Sequence, residues 1–278
     1  MKPASPRVRL RELESRIAHN ARAQGVTVAR YRDALNRKIL LTTLELACRA
    51  HLLDTYAVKG GVAIELRFGV KVRATRDIDI DLPAPLDRLR DILVSALGVG
   101  CGDFTFSVKQ DIRQIRSDAV RVVVSIKFAG LPWATMEVDL APIALGDVQE
   151  EVPLPAEEIV ELSLTTRSIS VEQLIAQKIH AATCPDAPGY EFDYARHVID
   201  VLFLMQAGAV SIRDVRIACE AVFRERGHRD GRMWPPTVAL PERWLRDYEA
   251  LLREYALALK PDEVPAAFSQ LVVHLTEI

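Results

Sequence analysis

Three aspartates separated by single apolar residues are the most chemically informative feature of the sequence. Asp77, Asp79 and Asp81 alternate with isoleucine and leucine. Successive side chains of a β-strand point to opposite faces, so an extended segment places all three carboxylates on one face, about 7 Å apart at the backbone. Such carboxylates can converge on one hard divalent cation, such as Mg²⁺. A charged edge strand that resists aggregation has the same pattern, so the neighbouring segments must decide between the two interpretations.

Two other segments supply that context. Gly60 and Gly61 separate a short apolar strand from a predicted helix. Small residues there let backbone N–H groups approach a phosphate, although a simple tight turn has the same sequence. Farther along, Glu137 and Asp139 alternate with apolar residues, which predicts a second strand with an acidic face. If the two acidic strands are neighbours, Asp139 joins the same site; a solvated face of an antiparallel strand is the other interpretation.

The elements around these motifs predict an α+β fold. A small mixed β-sheet forms the core, between N-terminal helices and a C-terminal helical subdomain. We expect strands at 104–108, 119–128 and 133–141. Predicted helices cover 8–24, 28–53, 86–97, 171–183, 192–207, 211–226, 242–258 and 263–276. The expected divisions are 1–54 for the basic helices, 55–165 for the core and 166–278 for the helical subdomain.

Composition excludes several classes of protein. The 278 residues are 49% hydrophobic and 27% charged, with a net charge of -2, as in ordinary globular proteins. The four cysteines form no CxxC pair, and no apolar segment is long enough for a signal peptide or a membrane span. We therefore expect a cytoplasmic protein without a membrane partner. Positive charge is concentrated in residues 1–40, which contain ten Lys or Arg and three acids.

The order of the motifs resembles the nucleotidyltransferase superfamily typified by DNA polymerase β. More closely, the segments KGGVAI at 59–64 and RATRDIDIDL at 73–82 resemble the AbiEii/AbiGii nucleotidyltransferase toxins of toxin–antitoxin systems, which include the mycobacterial MenT toxins. The resemblance implies that the glycine turn, Gly60 and Gly61, holds a triphosphate.

The same resemblance assigns the acids. Asp77 and Asp79 would hold Mg²⁺, and Asp139 would be a third metal ligand or the base near the attacking hydroxyl. Asp81 is a reserve ligand or a structural residue. Thr75 keeps a hydroxyl where the family commonly has serine, so it is a candidate nucleotide contact. Val62 stands where the family commonly has threonine and offers no hydroxyl.

Family members also carry a lysine on one helix and an aspartate on the next, which match Lys178 and Asp200. Lys178 lies on an otherwise apolar helix face, and its ammonium needs either an anion or a route to solvent. Asp200 stands among apolar residues and must be paired, with Arg196 as the simplest structural partner. The resemblance gives His197 no catalytic role, and we expect it to be a partly buried histidine.

These features predict a Mg²⁺-dependent enzyme, with one or two metal ions, that transfers a nucleoside monophosphate from an NTP to an RNA end. The resemblance implies a tRNA 3′ end as acceptor, a block of aminoacylation and translation, and a cognate antitoxin as partner. Three alternatives stay open: a metal-dependent nuclease, a kinase-like phosphoryl transferase of the same fold, and a noncatalytic nucleotide- or RNA-binding module. We expect the N-terminal arginines to supply most of the nonspecific attraction for RNA.

Overall fold

The computed structural model describes residues 5–72, 75, 77–143, 149–154, 164–184 and 191–277. The chain divides into two compact units. The first consists of Met1–Leu145 and Gln149–Ile169, and the second contains Ser170–Ile278. The first unit contains the sheet, and the second is helical wherever the structure describes a regular element.

A seven-stranded mixed sheet forms the centre of the first unit, in the order β3-β4-β5-β2-β1-β7-β6. The strands are β1 (Ala57–Lys59), β2 (Ile78–Leu82), β3 (Phe104–Arg116), β4 (Ala119–Phe128), β5 (Leu131–Pro142), β6 (Gln149–Leu154) and β7 (Leu164–Ile169). β2 runs parallel to β5 and antiparallel to β1. This arrangement confirms the predicted fold class, and it includes two strands, β6 and β7, that the sequence patterns did not indicate.

The described residues of this unit also form four α-helices. They are α1 (Pro6–Ala23), α2 (Val28–Arg49), α3 (Gly60–Phe68) and α4 (Leu89–Leu97). The apolar faces of α1 and α2 share one hydrophobic cluster with β3 and β4, in which Leu13, Ile17 and Ile39 are fully buried with Phe104 and Ile126. Because the N-terminal helices help to form this core, they are an integral part of the sheet-containing unit.

A β-bulge at Trp133 shifts the pairing of β4 with β5 by one residue, between Ile126 and Lys127. The indole N–H of Trp133 donates to Asn36 Oδ1 at 2.7 Å, and the Arg32 guanidinium lies 4.7 Å from the ring centre. Helix α2 thereby holds the extra residue in place. A shift of one residue moves every later side chain to the other face, so this bulge determines which residues face the acids of β5.

The second unit packs helices around a core of aromatic and aliphatic side chains. The helices are α5 (Val171–Ala182), α6 (Glu191–Ala207), α7 (Ile212–Asp230), α8 (Leu245–Tyr255) and α9 (Val264–Glu277). Trp244, Tyr248 and Phe223 are among the largest fully buried side chains. Within the described ranges, no helix has the length and apolar character needed to cross a membrane.

Arg37 joins α2 to α3 through a buried ion pair and joins α2 to Thr75, shortly before the acidic strand, through a hydrogen bond. Arg37 Nη2 lies 2.6 Å from Glu65 Oε2, and both side chains are at most 7% exposed. Arg37 Nη1 also donates to the Thr75 carbonyl at 2.9 Å. The sequence interpretation placed Arg37 among the RNA-binding candidates, whereas the structure buries it as an internal connector.

We predict that Arg37→Met lowers the free energy of unfolding by about 3 to 5 kcal/mol, because it leaves the Glu65 carboxylate buried without its cation. Arg49→Met is the matched control on the same helix. The Arg49 guanidinium is 57% exposed and lies 3.8 Å from Glu45, so its loss should cost less than about 1 kcal/mol. Urea unfolding followed by circular dichroism measures both, and equal effects would contradict the assigned role.

Candidate functional site

One ladder position across the sheet aligns the predicted acids. Asp79 on β2 is the register partner of Asp139 on β5, and Asp139 is in turn the partner of Arg121 on β4. Directly paired residues share a face of the sheet. Asp79 also pairs with Lys59 at the end of β1. The structure therefore brings Asp77, Asp79 and Asp139 together on one face, as the alternation predicted.

The guanidinium of Arg121 lies among these acids. Its Nε donates to Asp139 Oδ1 at 2.6 Å, and its Nη2 donates to Asp139 Oδ2 at 2.9 Å and to Asp77 Oδ2 at 3.2 Å. Nη1 completes the set with Glu137 Oε2 at 2.8 Å. One cation therefore contacts three carboxylates from two strands. Arg121 was not among the residues expected at the site, although a charge between the valines of an otherwise apolar stretch, 119–124, marks it as a residue in need of partners.

The electrostatics of the cluster follow from crowding and partial burial. Removal from water raises the pKa of the Asp77 carboxyl, and the like charges of Asp139 and Asp79 add to this effect against the opposing influence of Arg121. Hydrogen bonds to Asp139 raise the pKa of Arg121 above its usual range. The positive charge of Arg121 at this position therefore offsets part of the crowding around Asp77.

Gly60 begins α3 directly against Asp79. Its φ of +66° lies in the left-handed region. A Cβ placed on Gly60 would approach Asp79 Oδ2 to 1.9 Å, well inside van der Waals contact. The backbone of the glycine turn therefore runs immediately beside a carboxylate of the acidic strand, which is the close approach that the predicted phosphate-and-metal arrangement requires.

Asp81 and Thr75 have local structural partners. The Lys59 ammonium lies 2.5 Å from Asp81 Oδ1, and the Asp81 side chain is only 3% exposed. This ion pair ties β2 to the start of α3, which favours the structural interpretation of Asp81. The Thr75 hydroxyl donates to the Asp77 carbonyl at 3.3 Å, so it supports the backbone that carries the first aspartate.

Lys178 and Asp200 belong to the second unit, where they form a buried ion pair with Nζ and Oδ2 2.8 Å apart. The hydroxyl of Tyr255 donates to Asp200 Oδ1. Lys178 Nζ also lies 3.4 Å from His197 Nδ1, and His197 is half-buried as predicted. The anion that Lys178 needed is thus Asp200.

The expected structural pair between Arg196 and Asp200 is not what the structure shows. The Arg196 guanidinium instead lies 3.3 Å from Glu254 Oε2 on α8. A spacing of four residues on α6 makes the two side chains neighbours. The fully buried Asp200 nevertheless takes its ion-pair and hydrogen-bond partners from other helices, namely Lys178 and Tyr255.

The acids fit a magnesium ion that shares its coordination with a substrate. Carboxylate oxygens are suitable ligands, and Asp77 and Asp139 both contact the same nitrogen of Arg121, so they already converge on one cation. Among the residues that the structure describes, no three His, Cys, Asp or Glu side chains form a complete metal cage. Mg²⁺ commonly uses one or two carboxylates together with substrate phosphates, which agrees with this donor set.

Comparison with known proteins defines the class. Residues 44–272 match the family described as "Nucleotidyl transferase AbiEii toxin, Type IV TA system". Because the match covers most of the chain, the protein belongs to this family, and it is a nucleotidyltransferase of the toxin–antitoxin type. A search among curated proteins finds no match.

A solved nucleotidyltransferase toxin shares the fold. MenT4, a nucleotidyltransferase toxin from Mycobacterium tuberculosis, superposes with a TM-score of 0.56 at 14% identity and covers 94% of this chain and 98% of its own. The antibiotic-resistance factor ANT(2′′)-Ia matches with a TM-score of 0.41 at 18% identity, over 71% of this chain and 96% of its own. A nucleotidyltransferase-like protein from Paracoccidioides brasiliensis matches with 0.42 at 12%, over 70% and 91%.

We predict that Gly60→Ala displaces Asp79 and abolishes nucleotide binding, because the new methyl group and the carboxylate cannot occupy the same space. Gly102→Ala is the matched control: Gly102 also has a positive φ, +55°, but nothing lies within 4 Å of its Cβ position. The backbone cost alone is about 1 to 2 kcal/mol. Nucleotide binding by calorimetry and thermal unfolding should separate the variants; normal binding by Gly60→Ala would contradict the close approach.

Proposed function

We propose that this toxin transfers a nucleoside monophosphate from an NTP to the 3′ end of tRNA, with Mg²⁺ as cofactor, and thereby blocks aminoacylation and translation. The observation that carries the proposal is the alignment of Asp79 with Asp139 on adjacent parallel strands, with Asp77 beside them and the Gly60 backbone against Asp79. A triphosphate turn beside paired carboxylates is the arrangement that nucleotidyl transfer needs.

Each residue has a role in this proposal. Asp77 and Asp79 would hold Mg²⁺ with Asp139, and bound Mg²⁺ would neutralise the triphosphate and favour ionisation of the attacking hydroxyl. The turn at Gly60 and Gly61 would bind the phosphates, to which its backbone N–H groups would donate hydrogen bonds. Asp139 would lie near the attacking 3′-hydroxyl, as the metal ligand or the base that helps to ionise it, and pyrophosphate would be released from the NTP. The family resemblance gives Lys178, which is paired with Asp200 in the second unit, the role of balancing the charge of the triphosphate.

The acceptor requires positive charge outside the acidic face, and the N-terminal helices supply it. Several of their arginines are engaged within the unit, since Arg9 pairs with Asp103, Arg32 with Glu14, Arg37 with Glu65 and Arg49 with Glu45. Four arginines are exposed along α1, namely Arg7, Arg11, Arg16 and Arg22. These residues would attract the RNA backbone. A cognate antitoxin is the protein partner that membership of the family leads us to propose.

We predict that Asp79→Asn lowers nucleotide transfer by about 100-fold or more, because the amide cannot supply the charge that holds the metal and the triphosphate. The assay incubates the protein with Mg²⁺, total tRNA and each NTP in turn, labelled at the α-phosphate. Asp91→Asn, an exposed change on α4, is the control and should leave transfer unchanged.

The same assay distinguishes the alternatives. Transfer of a γ-label in place of the α-label would identify a phosphoryl transferase, and shortened RNA without incorporated label would identify a nuclease. Near-normal transfer by Asp79→Asn would contradict the assignment of the acidic face.

We predict that Lys178→Met destabilises the second unit by about 3 to 5 kcal/mol, because it leaves Asp200 charged and buried. The double variant Lys178→Met with Asp200→Asn should recover much of the stability, since the amide oxygen can still accept from Tyr255, and yet remain deficient in transfer. Unfolding curves and the transfer assay are compared for both proteins. Full activity of the folded double variant would remove both residues from the proposed site.

We predict that replacement of Arg7, Arg11, Arg16 and Arg22 by glutamine weakens tRNA binding and flattens its salt dependence. Each phosphate contact that is lost should reduce the slope of log affinity against log salt by about 0.7 to 0.9. The control replaces the exposed Arg213 and Arg224 of α7 in the same way. An unchanged slope in the folded α1 variant, or a larger change in the control, would move the RNA site away from α1.

A further inference from the structure

Arg121 occupies the position among the acids that the proposed function assigns to a metal ion. It uses both oxygens of Asp139 and one oxygen of Asp77. Resting on the proposed function, we propose that Arg121 is an internal counter-cation. Its guanidinium holds Asp77, Glu137 and Asp139 together when no metal is bound, and it must leave Asp77 and Asp139 before a divalent cation can bind there.

The two cations compete for the same oxygen atoms. The bond from Arg121 Nε to Asp139 is 2.6 Å long, which is typical of strong charge-assisted hydrogen bonds. A divalent ion on Asp139 and Asp77 would therefore lie within a few ångströms of the guanidinium, where like charges repel strongly in partly desolvated surroundings. Simultaneous occupation by both cations is therefore unfavourable, and exchange of one for the other is the expected route.

The strand geometry permits this exchange without a change of fold. Val120, Val122 and Val124 of β4 are buried on the core face, whereas Arg121 alternates with them and is 24% exposed. The apolar neighbours fix the backbone of the strand, while the long arginine side chain can rotate on the other face. Only the side chain needs to move.

Charge balance links the exchange to the nucleotide. Once released from Asp77 and Asp139, the guanidinium keeps only Glu137 of its three carboxylate partners, and its planar fork suits the oxygens of a phosphate. A triphosphate that arrives with its metal supplies the cation for Asp77 and Asp139 and an anion for Arg121. We therefore expect metal binding alone to be weak and metal binding in the presence of nucleotide to be much tighter.

The test measures Mn²⁺ binding to the full-length protein by electron paramagnetic resonance, with and without a nonhydrolysable NTP analogue. Arg121→Gln removes the competitor. Arg113→Gln is the matched control, because Arg113 is the register partner of Arg121 on β3, is exposed, and has no ion pair to a residue that the structure describes. Both changes remove one positive charge from the same face, but only the first frees the carboxylates.

Without nucleotide, Arg121→Gln should bind Mn²⁺ at least about tenfold more tightly than the wild-type protein, because three charge-assisted hydrogen bonds to Asp77 and Asp139 no longer compete with the metal. Arg113→Gln should stay within about twofold. The analogue should improve Mn²⁺ affinity less in Arg121→Gln than in the wild type. Unchanged or weaker affinity in Arg121→Gln, or equal tightening in Arg113→Gln, would overturn the proposal.

Two further measurements keep the result decisive. If Arg121→Gln does not fold in metal-free buffer, Arg121→Lys replaces it. An ammonium cannot contact both Asp139 oxygens and Asp77 in the way that the planar guanidinium does, so we expect an intermediate increase in Mn²⁺ affinity. No increase in Mn²⁺ affinity would overturn the proposal. Asp79→Asn tests the metal site separately. If Asp79→Asn abolishes Mn²⁺ binding but Arg121→Gln leaves it unchanged, only the role of Arg121 is refuted. If neither the wild-type protein nor any variant binds Mn²⁺, the metal site is refuted as well.

Discussion

Carboxylates crowded on neighbouring strands repel one another unless a cation lies between them, and this constraint organises the site in the first unit. Asp77, Glu137 and Asp139 meet around the Arg121 guanidinium, which contacts all three. Like-charge repulsion and loss of water would otherwise favour protonation or separation of the strands. In our proposal this side chain can leave, so the arrangement that stabilises the protein alone would also provide a site for a metal-bound substrate.

The position of Arg121 depends on residues far from the acids. Trp133 forms the bulge in β5, and its contacts with Asn36 and Arg32 attach that bulge to α2. The bulge brings Arg121 opposite Asp139. Helix α2 also holds the glycine-turn helix and the start of the acidic strand through the bonds of Arg37 to Glu65 and Thr75. The N-terminal helices are thus part of the support of the site, in addition to carrying the exposed arginines of α1.

Local patterns were sufficient to predict the acids, the glycine turn and most helices. Alternation placed the aspartates on one face, and Gly60 is required by both its φ and its contact with Asp79. The register of β4 against β5 was not predictable. If the pairing that begins with Phe128 and Leu131 continued without a bulge, Val138 would lie opposite Arg121, and the bulge places Asp139 there instead. The acidic, proline-containing sequence around β6 and β7 concealed two strands, because their stability comes from pairing with each other and with β1. The partners of Asp200 come from α5 and α8, so the pattern of its own helix could not identify them.

The most direct test is a crystal structure of the protein with Mn²⁺ and a nonhydrolysable NTP analogue, in which the anomalous signal locates the metal ion. The account predicts a metal ion bound by Asp77 and Asp79 next to the triphosphate, with the guanidinium of Arg121 moved from Asp77 and Asp139 toward a phosphate. A nucleotide bound elsewhere, or a metal ion at the acids with Arg121 still bonded to both Asp77 and Asp139, would contradict it.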